Sequence, residues 1–231
     1  MTKANERSEL LLGRDSIQNL QTKWVLVVGV GGVGGMCIEA LARSGIGHLV
    51  LVDRDIVEAS NINRQLVATF ESVGRKKVEV WKERIASLAP KTQVVAIHGT
   101  YDGHMNEALD QYPIDFVVDC IDSIPSKQDL IRYALDRNIP FICSMGMARR
   151  KDPCKIQVME LEKTSYDPMA KRLRVWKRKE RIRKKIMVAA SSEIPVKVEA
   201  GEPLPSMMFV PASAGLALAQ YCVEQLKGSG Q

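Results

Sequence analysis

The run Trp24-Val25-Leu26-Val27-Val28 passes without interruption into Gly29-Val30-Gly31-Gly32-Val33-Gly34, and few folds accept that junction. Five apolar residues suit a buried strand, and the glycines permit a tight turn. The alanine- and leucine-bearing residues 35–43 continue as a helix that stops near Gly45. A second apolar run, His48–Val52, ends at Asp53. Strand, glycine turn, helix and strand in this order make a cradle for a nucleotide. Gly29, Gly31, Gly32 and Gly34 let phosphate approach the backbone, and amides at the helix start meet its charge. Asp53 stands where a carboxylate hydrogen-bonds ribose hydroxyls.

The residues beyond Asp53 narrow the ligand. Asp55, Asn61-Ile62-Asn63-Arg64-Gln65 and Lys77 crowd polar and cationic groups just past the second strand. A redox dinucleotide leaves Arg64, Gln65 and Lys77 idle, whereas a triphosphate uses them. Arg64 offers a planar fork to phosphate oxygens and Lys77 a point charge. Together they suit the β- and γ-phosphates and a departing pyrophosphate. Asp119-Cys120-Ile121-Asp122-Ser123 lies at the carboxyl end of a predicted strand, Phe116–Cys120, where open α/β sheets place ligands. Asp122 reads as a Mg2+ ligand, because that hard cation prefers carboxylate and phosphate oxygens. Asp119 reads either as a second such acid or as a structural carboxylate or helix cap.

Strand-like runs at Val25–Val30, His48–Val52, Gln93–Ile97, Phe116–Cys120 and Phe141–Cys143 alternate with helical patterns. Val78, Trp81, Ile85 and Leu88 recur at helical spacing, and residues 125–137 form a further helix. The alternation predicts an α/β, Rossmann-like, doubly wound and mainly parallel sheet. Residues 1–231 read as a single domain, with a nucleotide-binding core over 10–150 and a substrate-side extension over 151–231. In the extension, Lys155–Leu161 alternates like a strand, and Asp167-Pro168 reads as a cap and first turn of a basic helix over 168–185. Gly201–Pro205 signals a loop, and Ala212–Leu226 a closing apolar helix.

Charge is concentrated in that extension. Lys171, Arg172, Arg174, Lys177, Arg178, Lys179, Arg181, Arg183, Lys184 and Lys185 share a segment with one acid, Glu180, for a local charge of +9. The chain total is +6, so the remainder is net −3. With Leu173, Trp176, Ile182 and Ile186 docked inward, the cations would face outward and meet nucleic-acid phosphates, with Trp176 a core anchor. No apolar run approaches a membrane span, and no signal-type segment opens the chain, so a cytoplasmic protein without a membrane partner is expected. Five cysteines without a CxxC pair argue for reduced thiols and against structural zinc.

Gly29–Gly34, Asp53, Asn61-x-x-Arg64-Gln65, Lys77 and Asp119-x-x-Asp122 together resemble the adenylating superfamily that includes the ThiF, MoeB and ubiquitin-activating enzymes. Within it, several stretches are most similar to the tRNA threonylcarbamoyladenosine dehydratases: Glu9–Gly13, Gly45–Gly47, Ile121–Ser123, Asp152–Val158, Lys163–Pro168 and Phe209–Leu216. The resemblance implies ATP-dependent activation of the threonine carboxylate of threonylcarbamoyladenosine beside the tRNA anticodon, with pyrophosphate and then AMP released as a ring closes. It implies that Arg64 and Lys77 hold the phosphates, Asn61 orients them, Asp53 takes the ribose and Asp122 binds magnesium. It also implies a homodimer whose Arg7 reaches the ATP site of the partner subunit, and a sulfur-relay protein as a possible partner. One departure stands out. Some dehydratases carry a cysteine before a Ser-Thr-Glu stretch. Ser191-Ser192-Glu193 occupies that place here and Met187–Ala190 holds no cysteine, which favours direct ring closure on the adenylate. A runner-up is an adenylyltransferase for a ubiquitin-like sulfur carrier, disfavoured by the missing CxxC pairs and by the basic segment. A non-catalytic tRNA-binding protein would leave the polar set unused.

Overall fold

The structure is a computed structural model that describes residues 3–199 and 201–228. Two short helices, α1 (Glu6–Leu12) and α2 (Arg14–Leu20), precede β1 (Trp24–Val28). Next come α3 (Gly32–Arg43), β2 (His48–Asp53), α4 (Lys77–Leu88), β3 (Gln93–His98), α5 (Asn106–Leu109), β4 (Phe116–Asp119), α6 (Ile124–Asp136) and β5 (Phe141–Ser144). The last part contributes β6 (Ile156–Glu160), α7 (Pro168–Lys179), β7 (Met187–Ser191) and α8 (Phe209–Leu226).

The seven strands form one sheet in the order β3-β2-β1-β4-β5-β7-β6. All neighbours run parallel except β6 and β7. This is the mainly parallel, doubly wound sheet that the alternation of elements predicts. Strand alternation splits the core into two layers. Val25 and Val27 of β1 face α2, α3, α4 and α8, while Leu26 and Val28 face α5, α6 and α7. The order reverses between β1 and β4, so the crevice at their carboxyl ends is where a ligand belongs.

Several expectations need correction. Helices α1 and α2 carry no strong apolar period and are not legible in the sequence. Strand β7 escapes the sequence pattern because Met187–Ser191 is a short run directly behind cationic residues, yet it slots between β5 and β6. Helix α8 begins at Phe209, before the expected Ala212. The basic helix ends at Lys179 rather than Lys185. Arg181 takes a left-handed φ of 57°, Arg181 N donates to Arg178 O at 3.1 Å and Ile182 N to Lys177 O at 3.1 Å. Those two bonds make a Schellman ending, with half-buried Ile182 as its apolar contact. Arg183, Lys184 and Lys185 therefore sit on an irregular connection. At its other end α7 matches the reading: Asp167 Oδ1 accepts from Ala170 N at 2.9 Å, and Pro168 opens the first turn. Among the described residues, no helix is long and apolar enough to cross a membrane.

Candidate active site

The turn after β1 works because two glycines have no side chain. Gly29 has φ 86°, and a Cβ there would lie 2.6 Å from the carbonyl oxygen of Cys120. A Cβ on Gly34 would collide with the carbonyl oxygen of Gly29. The chain can thus fold back on itself and start α3 at Gly32, whose free amides face a cavity of about 360 Å3. Buried Trp81 on α4 braces the turn by donating from Nε1 to Val30 O at 3.1 Å.

Gly29, Gly31, Gly32, Gly34, Asp53, Asp55, Asn61, Arg64, Gln65, Lys77 and Asp122 all line this one cavity. Asp53, at the end of β2, is held by backbone amides: Oδ2 accepts from Val30 N at 2.7 Å and Oδ1 from Asp55 N at 2.8 Å. Each oxygen retains a lone pair for a further donor. Lys77 opens α4 and is buried, with Nζ 2.8 Å from Asp55 Oδ2. Asp55 itself is half-exposed and acts as counterion to a lysine that otherwise faces the cavity. A recess of about 280 Å3, lined by Glu58 and Ile56, adjoins the same pair. Arg64 Nη1 donates to Ser60 O and to Asn63 Oδ1, both at 2.8 Å. Buried Asn61 closes a reciprocal cap with Glu58, so its side chain is committed to shaping this loop. Gln65 is buried and its Oε1 has no partner among the described residues.

The two acids after β4 separate. Asp119 is fully buried, its Oδ1 2.8 Å from Lys127 Nζ and accepting from Ile121 N at 3.0 Å. Lys127 is equally buried, on α6. Burial pushes the Asp119 carboxyl up, and the lysine only partly offsets this. Burial acts to lower Lys127, but its surroundings, Asp119 foremost among them, hold it above the usual lysine range. Of the alternatives left open for Asp119, the structural one fits: the pair fixes the turn that carries Asp122. Asp122 is exposed at the cavity and makes no hydrogen bond or ion pair among the described residues.

Sequence reasoning overlooks Lys127, Tyr101 and Arg150. The hydroxyl of cavity-lining Tyr101 donates to Asn106 Oδ1 at 2.8 Å, and burial pushes it well up. Four cysteines, Cys37, Cys120, Cys143 and Cys222, are likewise driven up by burial, which keeps them as thiols; Cys154 is exposed. Arg7 lies on exposed α1, outside the cavity lining.

The basic segment is less uniform than its composition. Lys171, Arg172, Arg178, Lys179, Arg181, Arg183, Lys184 and Lys185 are exposed. Lys177 is not outward: it is buried and paired with Glu162. Half-buried Arg174 turns to the backbone and hydroxyl of Thr164. Helical spacing puts both on the flank that packs on the loop before α7. Trp176 is the core anchor, with the Arg132 guanidinium 5.2 Å from its ring centre.

The sequence pattern of the ThiF family matches residues 5–227. The tRNA threonylcarbamoyladenosine dehydratase of Bacillus subtilis (strain 168) is 39% identical over 236 residues, covering 95% of this chain and 93% of that protein. E. coli TcdA, solved as the dehydratase in complex with AMP, superposes with a TM-score of 0.90 at 31% identity, over 96% of this chain and 92% of its own. Its complex with ATP gives 0.89 over 97% and 93%. The sulfur carrier protein ThiS adenylyltransferase of E. coli (strain K12) is 34% identical over 58% of this chain and 53% of its own. Agreement across nearly the whole described fold, rather than at the glycine turn alone, places this chain in the ThiF family.

Proposed function

We propose that this protein is an ATP-dependent tRNA threonylcarbamoyladenosine dehydratase. The observation that carries the reading is the cavity that joins the glycine turn to Asp53, Arg64, Lys77 and Asp122, in a chain that matches the Bacillus subtilis dehydratase over 95% of its length. The α3 amides hold the phosphates and Asp53 takes the ribose. Lys77 exchanges Asp55 for a phosphate oxygen, and Arg64 swings from Asn63 to the same group. Gln65 offers its unpartnered oxygen to the nucleotide. The threonine carboxylate of the modified adenosine attacks the α-phosphorus, the bond to the β-phosphate oxygen breaks, and pyrophosphate leaves with its charge met by Arg64 and Lys77. Attack on the acyl carbon from within the threonylcarbamoyl group expels AMP, which retains the carboxylate oxygen, and closes the ring with net loss of water. Cys120, the cysteine that lines the cavity, is held as a thiol by its apolar surroundings, which accords with ring closure directly on the adenylate.

Magnesium belongs to the same proposal. Among the described residues no three ligating side chains cluster, so the ion would rest on Asp122 and phosphate oxygens, with waters completing its shell. Exposed cations of α7 and of the connection after it position the tRNA. Homodimerisation fits α1, where Leu10 is 84% and Leu11 82% exposed next to Arg7, the residue that would enter the partner's site. The 10–150 core and 151–231 extension would act as one adenylating domain. A cytoplasmic location and a sulfur-relay partner complete the proposal.

The test is nucleoside mass spectrometry on threonylcarbamoylated tRNA incubated with protein, ATP and magnesium. Loss of one water mass from the modified adenosine, absent for Arg64→Ala, is expected. An unchanged nucleoside beside pyrophosphate release driven by a carrier-protein tail would overturn the reading.

A further inference from the structure

Arg150 lies outside every motif, yet it is among the most enclosed charges in the protein. Its side chain is 1% exposed. Nη1 donates to Ser191 O at 2.8 Å and to Glu193 O at 2.5 Å. Nη2 donates to Tyr166 O at 3.2 Å and to Asp167 Oδ2 at 3.1 Å. Asp167 is the cap of α7, and its Oδ2 also accepts from Gly146 N at 3.0 Å. One guanidinium therefore joins the end of β7, the residues that leave it, and the start of the basic helix. Gly146 comes just after β5, and β5 and β7 are parallel neighbours. The knot thus sits at the carboxyl edge of the sheet, the edge that carries the cavity.

The surrounding backbone is bent to make this possible. Arg149 and Tyr166, one on each side of the knot, take left-handed φ values of 64° and 54°. Such residues cost free energy and persist where neighbours over-determine them. Arg149 N donates to Pro205 O at 2.7 Å and Arg149 O accepts from Val196 N at 2.8 Å. The Glu193 carboxylate accepts from Lys151 N and Asp152 N. The crossing from β7 to α8 is tied down at several points by the same loop, and Asn63 Nδ2, beside Arg64, donates to Ser206 O at 2.9 Å further along it.

We propose that Arg150 is a positioning residue for the RNA substrate: its forked bonds to Asp167 and to the β7 exit hold the cationic face of α7 at a set distance from the nucleotide cavity. The inference rests on the dehydratase reading. A lysine cannot replace it, because a single ammonium cannot span four acceptors on three segments. Loss of the fork leaves the ATP cavity intact, since none of these residues lines it. It frees the helix start, so Lys171, Arg172, Arg178 and Lys179 no longer meet RNA phosphates in register with the adenylate. Misplacement of a substrate by about 1 Å costs about 100-fold in rate.

The experiment uses the full chain and threonylcarbamoylated tRNA. Arg150→Met combined with Asp167→Asn removes both buried charges together and so avoids stranding either one. The double variant is expected to bind ATP within about twofold of wild type, while kcat/KM for tRNA falls about 10- to 100-fold and the log–log salt slope of tRNA binding becomes shallower. Arg150→Lys, which keeps the charge, should show the same split. Unchanged salt slope and unchanged kcat/KM in a folded Arg150→Lys variant would overturn the inference. Equal loss of ATP and tRNA binding would also overturn it, since that marks a general structural role. Wild-type protein that dehydrates no tRNA would instead sink the dehydratase reading.

Discussion

Replacing Lys127 by methionine isolates the buried pair under the site. Lys127 and Asp119 are 0% and 1% exposed, and the ammonium lies 2.8 Å from Oδ1. Methionine matches much of the lysine's volume, so the loss is electrostatic: a carboxylate is stranded without its counterion. Breaking such a pair costs about 3–5 kcal/mol, a large share of the roughly 5–15 kcal/mol that holds a domain folded. At about 2–4 °C per kcal/mol for a chain of this size, Tm should fall by about 6–20 °C. The deficit should depend on pH. Burial already raises the Asp119 carboxyl in the folded state, and loss of Lys127 raises it further. The folded variant then binds that proton more tightly than the unfolded chain does. Its stability is full below the ordinary carboxylate range and is lost as pH rises through the folded value. Urea unfolding followed by tryptophan fluorescence at about pH 8 and about pH 5.5 should show the larger deficit at the higher pH. Adding Asp119→Asn removes the stranded charge and should recover most of the loss. A deficit below about 1 kcal/mol at the higher pH, or a double variant whose losses simply add, would refute a structural role for this pair.

Lys77→Met should lower the rate of tRNA-dependent pyrophosphate release about 100- to 1000-fold, the scale for losing one preorganised charge on a transition state; a coupled phosphate assay reads it. Gly34→Ala pushes a methyl group onto the Gly29 carbonyl, so urea unfolding should record a loss of about 1–3 kcal/mol, and ATP should no longer raise Tm. Arg178→Ala with Lys179→Ala should reduce the log–log salt slope of tRNA binding by about 1.4–1.8, measured by filter binding, with ATP affinity unchanged. Lys177→Ala should leave that slope alone and cost stability instead, because its ammonium is already engaged by Glu162.

Much of the nucleotide cavity can be read directly from the chain. The glycine turn, Asp53, Asn61–Gln65 and Lys77 lie close together in sequence, and their geometry comes from one strand–turn–helix–strand unit whose local chemistry permits little else. Asp122 is legible for the same reason, as it comes after a strand whose end must face the crevice. The closing part of the fold is not. Whether Met187–Ser191 is a strand depends on a free edge beside β5, and the end of α7 depends on where Ile182 finds apolar contact.

Local periodicity and glycine placement act over short separations, so the parallel winding of the core strands and the groups around the glycine turn are written along the chain. Packing, in contrast, sorts the charges into exposed surface and buried fastenings. Asp119 and Asp122 stand three residues apart, yet Lys127 claims one while the other faces the cavity. Lys177 and Arg178 are neighbours, yet helix rotation turns one to Glu162 and the other to solvent. Arg150 gains its role from Asp167, Ser191 and Glu193, which only the packing of β5, β7 and α7 brings within reach. Charge type is written along the chain, but desolvation and counterion are properties of a place in three dimensions, and they separate a substrate-binding cation from a structural one.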